Sequence, residues 1–66
     1  MTTRVLNALA LRAVMRRAVR DGDMDALVIA TARHVVEVAS LDEAELHDYV
    51  RRTKRLVEDE RAQVRA

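Results

Sequence analysis

Val19-Arg20-Asp21-Gly22-Asp23-Met24 contains the single glycine of a 66-residue chain that has no proline, and these six positions decide the fold. Glycine is the residue that enters the left-handed conformation ending a helix without a steric penalty, and an aspartate just after it is a strong N-cap for another helix. The segment therefore predicts a tight turn between two helices that fold back on each other.

Upstream of the turn, Leu11, Val14, Met15, Ala18 and Val19 recur at the spacing of one buried helix face, predicting a helix over residues 3–20. Arg16, Arg17 and Arg20 fill its last turns, where cations suit the helix dipole. Downstream, Met24, Leu27, Val28, Thr31, Val35 and Val38 predict a second helix over 24–39, with period outweighing the strand preference of its valines. Ser40-Leu-Asp-Glu43 then matches a capping box. A third helix is expected over 41–64, with Asp42, Glu43 and Glu45 in its first turn and four-residue ion pairs at Asp48 and Arg52 and at Arg55 and Asp59. The fold class expected is all-α, a single helical domain over 1–66. It consists of an antiparallel helical hairpin plus a longer third helix, and the three-helix unit is completed as a dimeric helical bundle.

Size and leftover apolar surface motivate the dimer. A chain of 7.5 kDa hides only about 60% of its unfolded surface on folding, and without cysteine it has neither a disulfide framework nor a thiolate metal site to help it. Self-association is the remaining staple. Helix 1 carries a second apolar patch at Val5, Leu6, Leu9 and Ala13, and Ile29 and Val36, with Ala32, extend the apolar arc of helix 2 beyond one partner's reach. These residues are the expected self-association surface, and a two-fold dimer is the commonest way to close it. On helix 3, Leu46, Tyr49, Val50, Leu56 and Val57 form a narrow seam suited to helix pairing with a protein partner.

Charge is segregated although the net charge is only +1. Residues 4–20 carry five arginines and no acid, 21–48 carry eight acids against Arg33 alone, and 49–66 carry six bases against three acids. Such a chain does not coat an anionic polymer along its whole length. One surface could do so: Arg12, Arg16 and Arg20, with Arg17 beside them, stand on successive turns and could follow phosphates. The alternative function is thus a small DNA-binding regulator using those four arginines, against an intramolecular role in which they answer the acidic block.

Other chemistries lack parts. Asp21-Gly-Asp-Met-Asp25 begins like a calcium loop, but Ala26 and Ala32 stand where the loop needs glycine and a bidentate acid. His34 and Glu37 make one reversed pair where a bundle metal site needs several. There is no cysteine and no glycine-rich phosphate loop, and a bundle this small leaves little room for a pocket. No enzyme activity, cofactor or metal is expected. Asn7 and Arg12 interrupt the apolar run after Arg4, and no run approaches the roughly 18 apolar residues of a spanning helix. The chain is therefore expected to be cytoplasmic, with no membrane insertion.

The run Leu46-His-Asp-Tyr-Val-Arg-Arg-Thr-Lys-Arg-Leu-Val57, with Val50, Val57 and Val64 at seven-residue spacing, resembles the N-terminal coiled-coil docking segments of modular polyketide synthases. That family's pattern is roughly Leu-x-x-Tyr-Leu-Lys-Arg. The resemblance covers residues 46–64, and two helices precede it here. It implies that helix 3 pairs in parallel with a copy of itself and receives a partner helix.

Overall fold

A computed structural model describes residues 1–65 as three helices: α1 (Thr3–Asp21), α2 (Met24–Ala39) and α3 (Glu43–Arg65). Among the described residues the fold is all-α. The α1–α2 turn forms as its chemistry requires. Gly22 sits at φ 69°, its N–H donates to Val19 O at 3.2 Å, and the Asp23 N–H donates to Ala18 O at 2.9 Å. These two bonds satisfy carbonyls that a helix end otherwise leaves orphaned. The Asp23 carboxylate then accepts from Ala26 N at 3.1 Å, starting α2. At the other end of the hairpin, Arg4 donates to Ser40 O and Asn7 to Glu37 Oε1. The antiparallel pairing is thus tied at both ends.

The start of α3 differs from expectation. Ser40 is the C-cap of α2, and its hydroxyl donates to Glu37 O at 2.6 Å. The capping box lies two residues later: Glu45 N donates to the Asp42 carboxylate at 2.8 Å, and Asp42 N donates back to Glu45 Oε1 at 3.1 Å. A carboxylate is the stronger acceptor and carries the charge that the helix N-terminus favours. Replacing Asp42 by alanine is expected to lower stability by about 1 kcal/mol in urea denaturation, and Ser40→Ala by well under half of that. Equal losses would return the cap to Ser40.

Glu45 also holds the helices together at this end. Its second carboxylate oxygen accepts from the Thr2 hydroxyl at 2.6 Å, while that same hydroxyl oxygen caps α1 by accepting from Val5 N. Beneath this junction lies the core: Val5, Ala8 and Tyr49, with Leu9, Val38 and Leu41 packed around them. Farther along the hairpin the buried residues are alanines, Ala18 and Ala30. Both α2 and α3 pack on α1 and touch each other little, and the Cα trace measures 32 × 30 × 13 Å. The result is a thin slab, not a closed three-helix bundle.

That geometry corrects the expected buried faces. Val14 and Val19 of α1 and Met24, Val28 and Val35 of α2 are exposed, whereas Leu11, Met15, Leu27, Thr31 and Val38 are half-buried. α1 and α2 approach through small side chains, which turns the valines of α2 outward. No described helix is long and apolar enough to cross a membrane.

Candidate protein interaction surface

The outward side of helix α2 carries almost no polar residue. At 100° per residue, Met24, Val28, Ile29, Ala32, Val35 and Val36 share one outward arc that only Asp25 interrupts, and all six are exposed. An apolar arc of that width normally packs against another element. Beside this arc, α1 and α2 enclose an open groove of about 570 Å³, floored by Ala10, Leu11, Val14, Ala32 and Val36 and bordered by Arg33 and the Asn7–Glu37 hydrogen bond.

The expected self-association residues divide between two places. Ile29 and Val36 lie on this surface, Val36 at 68% exposure. Leu6 and Ala13 are also exposed, on another side of α1. The single exposed patch expected from Val5, Leu6, Leu9 and Ala13 does not exist: Val5 is wholly buried and Leu9 is half-buried against the core. Both face α3, because α3 packs on the side of α1 that carries them.

The α3 seam splits in the same way. Tyr49 turns into the core and shares a 2.6 Å hydrogen bond with His34 Nε2. Leu46, Val50, Leu56 and Val64 remain exposed and Val57 half-exposed. Positions 46, 50, 53, 57, 60 and 64 alternate by four and three, the spacing of a pairing stripe, with Thr53 and Glu60 as its polar members. The Thr53 hydroxyl oxygen is buried without a partner.

The arginine stripe is largely engaged within the molecule. Arg12 grips Glu60 with both guanidinium nitrogens at 3.0 and 3.2 Å, and Arg16 Nε reaches the same carboxylate at 3.1 Å. Arg17 lies 4.0 Å from Asp21, and Arg20 is exposed. Nothing local signals the Arg12–Glu60 fork, whose partners are 48 residues apart. On α3, Asp48 accepts from Arg51 at 3.0 Å and from Arg52 at 2.9 Å. Among the described residues the expected Arg55–Asp59 ion pair does not form. No three acidic or imidazole side chains come together among the described residues.

The hydrogen bond from Arg12 holds the Glu60 carboxyl below the usual glutamate range, and the bond from Arg51 does the same for Asp48. A carboxylate with a depressed folded pKa stabilises the fold above its unfolded pKa and loses that contribution as pH falls through the folded value. Stability is therefore expected to be full at neutral pH and to fall on acidification below the ordinary carboxylate range. Glu60→Gln should flatten part of that decline in urea titrations at successive pH values. An unchanged pH profile would leave the fork without a stabilising role.

Protein-family models, curated proteins and solved structures offer no match to this chain.

Proposed function

We propose that this chain is a non-catalytic helical interaction module that self-associates as a dimer and binds a protein partner through the helix faces a single copy leaves bare. One quantity carries the reading. A folded monomer of 7.5 kDa exposes about 4,250 Å², whereas this chain exposes 5173 Å², an excess of about 900 Å². That excess matches the roughly 800 Å² each partner contributes to a standard protein interface, and the exposed large apolar side chains include Met24, Val28, Ile29, Val35 and Val36 of α2. Leu46, Val50 and Val64, the exposed members of the α3 stripe, form the second bare face. Its spacing, and its resemblance to docking segments that receive a partner helix, make it the surface for a different protein.

Binding to nucleic acid is the weaker reading, because Glu60 already holds Arg12 and Arg16. Self-association coupled to folding makes the melting temperature depend on protein concentration. Circular dichroism melts over a roughly hundredfold range of concentration should shift upward by several degrees. A melting temperature that stays constant across the range would contradict the proposal.

A further inference from the structure

We propose that the face of the α1/α2 hairpin turned away from α3 seats a second copy of this chain, two hairpins stacking across a two-fold axis with the α3 stripes left outside. The inference rests on the self-association reading and adds which face is used. Val5, Leu9, Arg12 and Arg16, on the α3 side of α1, project opposite to Asn7 and Val14, so the groove side is bare for its whole length.

Three features fit that face to a copy of itself. Its centre is apolar, with Ala10, Leu11 and Val14 from α1 and Ile29, Ala32 and Val36 from α2, while Asn7, Arg33 and Glu37 border it. That is the layout of a stable interface, an apolar middle with a polar rim. Ala10 and Ala32 stand on opposite sides of the groove and leave room for a facing helix to approach closely. The rim carries both signs of charge, with Arg33 against Asp25 and Glu37. A partner of one sign, such as a nucleic acid or an acidic peptide, meets like charge there, whereas a second copy offers both signs.

The absence of native cysteine makes a clean test available. Single cysteines are placed on the groove face (Ala32→Cys, Val36→Cys), on the far edge of α2 (Val35→Cys) and on α3 (Val50→Cys), and disulfide-linked dimer is followed under mild oxidation. The groove-face pair should link at least about tenfold faster than the other two. In sedimentation equilibrium, Ala32→Glu should raise the dissociation constant at least about tenfold and Val50→Glu should change it little. A dimeric chain in which Val35→Cys or Val50→Cys links fastest, or in which none of the four links, would overturn the choice of face while leaving self-association standing. An unmodified chain that stays monomeric at every concentration would overturn both. The cysteine variants change little volume, so they still report if Ala32→Glu fails to fold.

Discussion

Tyr49→Ala should cost about 3–4 kcal/mol, the largest loss expected from any single substitution here. Tyr49 is the sole aromatic residue of the chain, and it is the one contribution of α3 to a buried cluster whose other members are Val5 and Ala8. Its hydroxyl also satisfies His34, so truncation leaves a half-buried imidazole nitrogen without its partner. Tyr49→Phe separates the two roles, keeping the ring while removing the hydrogen bond at a cost of about 1 kcal/mol. Urea denaturation followed by circular dichroism distinguishes them. An alanine variant losing less than about 1 kcal/mol would mean that α3 is not anchored through this residue.

Ala30→Leu is expected to cost about 2 kcal/mol even though it adds apolar volume to an apolar helix. Ala30 is only 3% exposed, and Ala18 is the corresponding buried alanine of α1. Where two helices approach through alanines, a longer side chain has to push the axes apart or leave its preferred rotamer. The same change at Ala44, exposed in the first turn of α3, should stay within about 0.5 kcal/mol. If Ala30→Leu were neutral or stabilising, the close approach of α1 and α2 would be wrong. The valines that face solvent would then be free to turn inward.

The hairpin was legible in the sequence because its determinants are local. Gly22 and Asp23 fix a turn whatever the rest of the chain does, and α1 and α2 stop and start within a residue of expectation. The start of α3 was misplaced for an equally local reason: the sequence reading puts the capping box at Ser40 and Glu43, whereas Asp42 and Glu45, at the same spacing, form it. Only the competing bond from Ser40 to Glu37 O settles which is used. Faces were harder than boundaries. Periodicity identifies a buried stripe when polar residues mark the opposite side, but in α2 Arg33, His34 and Glu37 flank Ala30 itself, so hydropathy pointed to the valines while packing selected Ala30. Val5 and Leu9 looked like excess surface because nothing in α1 reveals that α3 returns alongside it. His34 with Tyr49 and Arg12 with Glu60 join distant segments, and no spacing rule connects such pairs. Of the expected interaction residues, Leu6, Ala13, Ile29, Val36, Leu46, Val50 and Leu56 are exposed, whereas Val5 and Tyr49 serve the core.

Solution mass from light scattering, taken over a roughly hundredfold concentration range at low and at high salt, is the most direct check on self-association. Association through apolar faces predicts twice the chain mass of 7.5 kDa at both salts, with dissociation only at the dilute end. A folded monomer of 7.5 kDa throughout would contradict it, and so would a dimer that falls apart as salt rises.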